Sequence, residues 1–394
     1  MGCAVVKGRV RTGHAAYGPV SFSNILGRVR SEHWTHHEPK RTDTAEAFMT
    51  RAAYLLIAVS SVASLALVSS ACGSSATSSE GDPAPAATNA PPAPPASTGA
   101  TSGGTPPPPP VTPVPKAVRF VAMGDVGDGS AGQLKIAGTV EAKCKQDGCD
   151  FVQLLGDNLY ESGASSVDDP IWQANFEVPY AAINLDFYAV LGNHDYGNGG
   201  QGTDFLKGQN EVDYTKKSKK WKMPSAYFHF EKENAQFIAL DTNMALFGQA
   251  GTQKTDVTAW LAASKSEWKI ALGHHPYKSN GPHGNAGNYD GIPLSPISGK
   301  NVQTFLEEVV CGKVDVYLCG HDHSRQWLNV SCKGTELAVS GAGAKATELK
   351  ANNAALFESL EIGFLYVVIE GKKLTAEFVD ENGKTDFTHV LTKP

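Results

Sequence analysis

From residue 116 onward, short apolar runs alternate with stretches of helical period. Val118 to Met123, Phe151 to Leu155, Phe187 to Leu191, Lys269 to Leu272 and Val314 to Cys319 are brief and rich in β-branched and aromatic residues. Such runs read as buried strands. Between them Leu134, Ala137, Val140 and Cys144 recur at helical spacing. So do Val257, Trp260 and Leu261, after a candidate cap at Asp256, and Val302, Phe305, Leu306 and Val309. Strands alternating with helices predict a layered α/β or α+β fold. The tail has a different rhythm. Phe364 to Ile369, Lys373 to Val379 and Asp386 to Leu391 follow one another with turns between, the second holding Asn382-Gly383. That pattern predicts an antiparallel hairpin edge. A sixth strand, Gln236 to Leu240, runs into Asp241 without a glycine, and Asp241 is expected to be structural or to support a neighbouring site.

Each of the five buried runs ends in glycine, and a residue able to bind a metal follows. The pairs are Gly124-Asp125, Gly156-Asp157, Gly192-Asn193, Gly273-His274 and Gly320-His321. Glycine lets a chain leaving a strand turn sharply and approach a ligand closely. Polar residues at strand ends along one sheet edge are expected to share one crevice. With Tyr160 and His323, the candidates are Asp125, Asp157, Tyr160, Asn193, His274, His321 and His323. Carboxylates, an amide, a phenol and imidazoles without a thiolate suit iron, manganese or zinc rather than a structural Cys-zinc site. That is too many ligands for one ion, and a bridging Asp would serve two. Two ions a few ångströms apart can each polarise a phosphoryl oxygen and activate a shared water.

Composition divides the chain. Residues 73–115 are almost entirely Ala, Pro, Ser, Thr and Gly, and are expected to be an extended linker with a reach on the order of 100 Å. Upstream, Met49-Thr50-Arg51 precedes the apolar run Ala52 to Val68 and then Ser69-Ser70-Ala71-Cys72. A charged start, an apolar middle and small residues before a cysteine make 49–72 a signal peptide, read as the lipoprotein type with Cys72 as the lipid anchor. The run falls short of the roughly 20 residues that span a bilayer. Met49 is read as the true start, with 1–48 a mis-assigned or disordered extension. The domain is then 116–394, exported and tethered to face the periplasm or cell exterior. Export permits disulfides. Cys144 can pair with Cys149 and Cys311 with Cys332, while Cys319 lies in an apolar run and reads as a buried free thiol. Net charge is −6, and the one basic tract, Lys216 to Lys222, reads as a solvated loop, so no nucleic-acid partner is expected.

The motifs have a family character. Gly124-Asp125-Val126-Gly127, Gly156-Asp157-Asn158-Leu159-Tyr160, Gly192-Asn193-His194-Asp195, Gly273-His274-His275-Pro276 and Gly320-His321-Asp322-His323 resemble the five signatures of calcineurin-like metallophosphoesterases. Tyr160 at its distance from Asp157 is the mark of the purple acid phosphatases. Trp221 to Ser225, Tyr317 to His323 and Ser340-Gly341-Ala342-Gly343 are similar to the small, tartrate-resistant type.

This resemblance implies a four-layer αββα sandwich with a dinuclear centre. Asp125, Asp157, Tyr160 and His323 would hold Fe(III). Asp157 would bridge to Fe(II), Zn(II) or Mn(II), held also by Asn193, His274 and His321. It implies an acid phosphatase that hydrolyses small phosphomonoesters by attack of a metal-bound hydroxide. His194 would touch the phosphate and act as general acid, with Asp195 orienting it, and His283 would be a second catalytic histidine facing the substrate. Ala271 replaces the usual Val before His274, and the loop Asn243 to Thr255 is shorter than in the animal enzymes, so substrate range does not carry over. A phosphodiesterase or nucleotidase of the same superfamily is an alternative, against which Tyr160 counts. So is an inactive surface-tethered binding protein, against which the intact ligand set counts.

Overall fold

The computed structural model describes residues 116–289 and 298–394. The extension, signal segment, Cys72 and linker expected upstream lie outside the described residues.

Two seven-stranded sheets form the centre. In the first, β1 (Val118–Met123), β2 (Phe151–Leu155), β3 (Asp186–Val190) and the short β4 (Trp221–Lys222) run parallel. Antiparallel to β1 comes β12 (Gly363–Glu370), then β13 (Lys373–Asp380) and β14 (Thr385–Thr392). The tail therefore extends the first sheet as the antiparallel edge that its turn-joined runs predict. In the second sheet, β6 (Ala235–Ala239), β7 (Trp268–Leu272), β8 (Val316–Cys319) and β10 (Glu336–Ser340) are parallel. It is closed by antiparallel β5 (Phe228–Lys232) on one side, and by β9 (Arg325–Leu328) and β11 (Ala355–Ser359) on the other.

The period of two along the second sheet explains the layers. Phe237, Ile270, Leu272, Val316 and Leu318 face the first sheet, where Phe237 meets Phe120 and Phe151 edge-on at 5.2 Å. Their neighbours Ile238, Ala271, Tyr317 and Cys319 face outward into a second cluster. That cluster is capped by α3 (Thr242–Leu246), α4 (Gly251–Ala263) and α5 (Lys300–Val309). On the far side of the first sheet lies α1 (Ala131–Asp147), whose Ile136, Ala137 and Val140 join the main core. The remaining helix, α2 (Gly208–Tyr214), precedes β4. The architecture is a pair of mixed sheets sandwiched between helices. Full burial of each large apolar side chain here contributes about 1.5–3 kcal/mol.

Three local expectations are corrected. Leu134 is 53% exposed, and Gln133 takes the inward position instead, its Nε2 donating to the Asn175 carbonyl at 2.6 Å. The helix end there meets a polar loop, so an amide fits where a leucine would not. The helix holding Val257 begins at Gly251, and Asp256 lies inside it, accepting from the Tyr227 hydroxyl at 2.8 Å. Its first turns lack an apolar period because buried Gln253 faces inward there. The Lys216–Lys222 tract is only partly a solvated loop. Lys216 and Lys217 pair with Asp213 and Asp168, but Trp221 is fully buried and opens β4.

Both disulfides form as the spacing allows, Cys144 with Cys149 and Cys311 with Cys332, and Cys319 is a buried free thiol. Disulfides persist in oxidising compartments, which speaks for an extracytoplasmic domain. Among the described residues no helix is long and apolar enough to cross a membrane.

Candidate metal centre

The five glycine-marked strand ends do not lie along one edge of one sheet. Three belong to β1, β2 and β3 of the first sheet and two to β7 and β8 of the second. Alternating strands and helices cannot reveal which sheet a strand joins. The ends meet where the two sheets come together: Asp125 N donates to the Gly156 carbonyl at 2.9 Å, and His321 N donates to Asp125 Oδ2 at 2.9 Å.

Glycine is required at this junction for space. A Cβ at Gly156, where φ is 87°, would lie 2.5 Å from His274 Nδ1. One at Gly192 would lie 2.2 Å from Asp157 Oδ1. The residues after the glycines are strained as well: Asp125, Asp157 and His321 have φ of 59°, 52° and 71°. Left-handed backbone in a residue other than glycine costs roughly 1–2 kcal/mol and tends to mark functional turns.

All seven candidate ligands are brought together. The Tyr160 hydroxyl lies 3.1 Å from Asp125 Oδ1, 3.0 Å from Asp157 Oδ2 and 3.2 Å from His323 Nε2. His323 Nε2 is 3.4 Å from Asp125 Oδ1. On the other side, His274 Nε2 is 3.4 Å from Asp157 Oδ2, 2.9 Å from Asn193 Oδ1 and 3.1 Å from His321 Nδ1. Asp157 Oδ2 thus lies within reach of both groups.

The hydrogen-bonding chemistry of this cluster calls for a cation. The Leu155 carbonyl can only accept, so His274 donates to it through Nδ1 at 2.9 Å. A neutral His274 then presents an Nε2 lone pair. Asn193 is fixed because its Nδ2 donates to the Gly200 carbonyl at 2.7 Å, so its oxygen faces that lone pair. Acceptors facing one another at such distances repel unless positive charge lies among them. A proton can supply it. Burial alone would lower His274, but the Asp157 carboxylate outweighs that and raises it to about 9. A metal ion can supply it too, and the oxygen and nitrogen donors fit hard or borderline ions. Tyr160 makes the same demand, since burial and the charges of Asp125 and Asp157 push its phenol well above its ordinary range. Holding it as a phenolate requires a strong positive charge alongside. His321 behaves oppositely: burial, then the histidines around it, drive it well below its usual value and keep it neutral.

The two candidate catalytic histidines flank the cluster. His194 contacts the Tyr160 ring with centroids 4.3 Å apart, and its Nδ1 donates to the Glu161 carbonyl at 2.7 Å. Asp195 does not orient it. The Asp195 carboxylate accepts instead from the backbone N–H groups of Asn158, Leu159 and Gly192 at 2.9, 3.1 and 2.8 Å, pinning the turn behind Asp157. A buried acid facing three backbone donors is held by them rather than by its chain neighbour. His283 stacks on His321 with centroids 4.0 Å apart, and Asp322 Oδ1 accepts from both its N–H and its Nδ1, at 3.0 and 2.8 Å.

Sequence reasoning passed over Asp322, although its place between two histidines on an extended segment aims it away from them and was a usable signal. It also passed over Thr242, whose Oγ1 accepts from the backbone N–H groups of His274 and His275 at 3.3 and 3.0 Å. Nothing in the sequence marked that residue. Asp241 is structural, as read: it caps α3 and accepts from the Tyr196 hydroxyl at 2.5 Å.

Comparison with known proteins agrees with this geometry. Residues 118–325 match the family model of calcineurin-like phosphoesterases. The chain is 29% identical over 321 residues to tartrate-resistant acid phosphatase type 5 of Sus scrofa, covering 70% of this chain and 87% of that protein. It is 28% identical over 297 residues to purple acid phosphatase 4 of Arabidopsis thaliana, covering 68% and 82%. Among solved structures it is similar in fold to the purple acid phosphatase PPD1 of yellow lupin, with a TM-score of 0.55 at 18% identity, covering 71% of this chain and 54% of that one.

Proposed function

The chain belongs to the calcineurin-like metallophosphoesterases, a family that uses a dinuclear metal centre, and on that premise we propose that it is a purple-type acid phosphatase acting on small phosphomonoesters. The observation that carries this reading is the position of Asp157 Oδ2, 3.0 Å from the Tyr160 hydroxyl and 3.4 Å from His274 Nε2. One carboxylate oxygen between a phenol group and an imidazole group would let Asp157 serve ions held on both sides. Asp125, Tyr160 and His323 would hold a ferric ion, and Asn193, His274 and His321 a divalent iron, zinc or manganese. Such a pair supplies Lewis acidity to the phosphoryl group and makes water acidic enough to serve as nucleophile below neutral pH.

The side chains around the centre supply positioning and a proton. With Nδ1 committed to the Glu161 carbonyl, His194 carries a proton on Nε2 only as the imidazolium. That cationic form is the one able to protonate a leaving alkoxide. His283, oriented through Nδ1 by buried Asp322, turns its other nitrogen away from that carboxylate and is assigned to contact the substrate. Residues 49–72 are taken as a lipoprotein signal, with Cys72 anchoring an exported domain, 116–394, through the linker 73–115.

The test is the visible absorption spectrum of the protein purified in air beside a Tyr160→Phe variant. A purple charge-transfer band present in the wild type and lost in the variant is expected. A colourless, metal-loaded and active wild type would overturn the ferric-tyrosinate assignment and move the reading toward the general metallophosphoesterases.

A further inference from the structure

Beyond β10 the chain runs through Gly341-Ala342-Gly343-Ala344 to Lys345, and this loop is fixed by the same turns that present Asp125 and His323. Gly343 N donates to the Gly124 carbonyl at 3.2 Å, and Thr347 N donates to the His323 carbonyl at 2.9 Å. The loop lies hard against the first of these turns, since a Cβ at Gly343 would come within 2.6 Å of Gly124 O and 2.4 Å of Val126 Cγ1. Lys345 is therefore held at the rim of the cluster on the Tyr160 side. Its Nζ sits 4.1 Å from the centre of the Tyr160 ring.

Among the described residues, no carboxylate pairs with Lys345. An ammonium over an aromatic face is stabilised by only about 0.5–1 kcal/mol at an accessible site. Here it also stands beside a centre proposed to hold two cations against two carboxylates and one phenolate, which leaves that centre net positive. Like charges that close repel unless an anion lies between them. The arrangement is thus complementary to a bound anion, and more so the greater its charge. A phosphomonoester carries up to two negative charges, while a phosphodiester carries one.

We propose that Lys345 is a specificity-determining residue that holds an outward phosphoryl oxygen and biases the centre toward dianionic monoesters over monoanionic diesters. This inference rests on the phosphatase reading and deepens it. Lysine acts here as a point charge rather than a two-pronged donor, so an arginine that keeps the charge should keep most of the effect.

The experiment compares metal-loaded wild type, Lys345→Met and Lys345→Arg on 4-nitrophenyl phosphate and ethyl 4-nitrophenyl phosphate, which share a leaving group and differ by one charge. Lys345→Met is expected to lower kcat/KM for the monoester by about 10–100-fold, the loss of one charge-assisted hydrogen bond. The loss on the diester should be smaller, so that the monoester-to-diester ratio falls at least fivefold, and Lys345→Arg should restore most of it. Calorimetric titration of the same proteins with inorganic phosphate should show weaker binding in Lys345→Met, with metal content and melting temperature unchanged. Equal ratios in wild type and Lys345→Met would overturn the assignment while leaving the phosphatase reading standing. A metal-loaded wild type that turns over neither ester would defeat that reading instead. Calorimetry would then decide for Lys345 by itself, with equal phosphate affinities overturning it.

Discussion

The first sheet has two halves that share hydrogen bonds and one hydrophobic core but differ in backbone and charge. In β1, β2 and β3 both faces are covered, and the polar chemistry is displaced to the strand tips, where Asp125 and Asp157 take left-handed backbone conformations. In β12, β13 and β14 no residue other than glycine has positive φ, the pairing is interrupted only by a register shift at Phe378–Val379, and outer β14 largely alternates between exposed and half-buried positions. Their carboxylates differ in the same sense. Near the centre, burial raises Asp195 and Asp241 to about 6. In the tail, Asp386 is held below its ordinary range, because Lys384 and buried Arg325 outweigh what burial it has. One half tolerates strain and misplaced charge, and the other is where local preference and packing agree. Residues that break local rules cluster where function is expected, and the rest of the fold must compensate.

Two substitutions sharpen that contrast. Asn193→Ala or His321→Ala is expected to lower turnover by about 1000-fold or more, with a near-native circular dichroism spectrum and melting temperature. Steady-state rates on 4-nitrophenyl phosphate check this, and retention of more than about a tenth of wild-type activity would remove the residue from the site. Phe378→Ala in β13 should do the reverse. Its side chain is fully buried against the main core, so truncation should cost about 3–5 kcal/mol in denaturant unfolding. The surviving folded protein should keep its kcat. If Phe378→Ala instead lowered kcat at constant folded fraction, the tail would be coupled to the centre and the division between halves would fail.

The same contrast explains what could be read from the sequence. Buried strands declare themselves as continuous apolar runs and the tail as runs joined by tight turns, so β1, β2, β3, β6, β7, β8 and the tail hairpins were legible, whereas β4, β5, β9, β10 and β11 were not. The glycine before each candidate ligand was legible because a strand leading into glycine and a polar residue is a local event. Partition of the five ends between two sheets was not, since sheet membership depends on pairing partners far apart in the chain: β8 pairs with both β7 and β10, and β1 with β12. Side chains that act through backbone were hidden for a similar reason. Thr242 supports the turn at His274 from β6's following helix, and Asp195 serves the turn behind Asp157 rather than adjacent His194. Spacing reports which residues are near in sequence, whereas these roles are set by which loops meet in space.

Asp241, which follows β6 of the second sheet, gives the smallest effect expected and the most direct reading of how the turns around the centre and the tail differ in their treatment of a carboxylate. Its Oδ1 accepts from Met244 N at 2.9 Å and its Oδ2 from the Tyr196 hydroxyl at 2.5 Å. Burial nevertheless dominates and raises it to about 6. In the unfolded chain an aspartate titrates near 3.9. Below about pH 4 both states hold the proton and Asp241 carries no penalty. Between about pH 4 and pH 6 the unfolded state ionises first, so stability falls as pH rises. Above that window the full cost, about 3 kcal/mol, remains. Asp241→Asn cannot ionise and escapes this loss. The difference in unfolding free energy between variant and wild type should therefore shift in the variant's favour by about 3 kcal/mol from pH 3.5 to pH 7, whatever constant offset the altered hydrogen bond to Tyr196 adds. Asp386→Asn should shift the opposite way, because a depressed carboxylate stabilises the fold above about pH 4 and loses that contribution as pH falls further through its lowered value, of which the step down to pH 3.5 shows the first part. Denaturant titrations of both variants at the two pH values measure this. Shifts of the same sign would mean that the turns around the centre and the tail handle charge alike, and that the strain at the strand tips has no electrostatic counterpart.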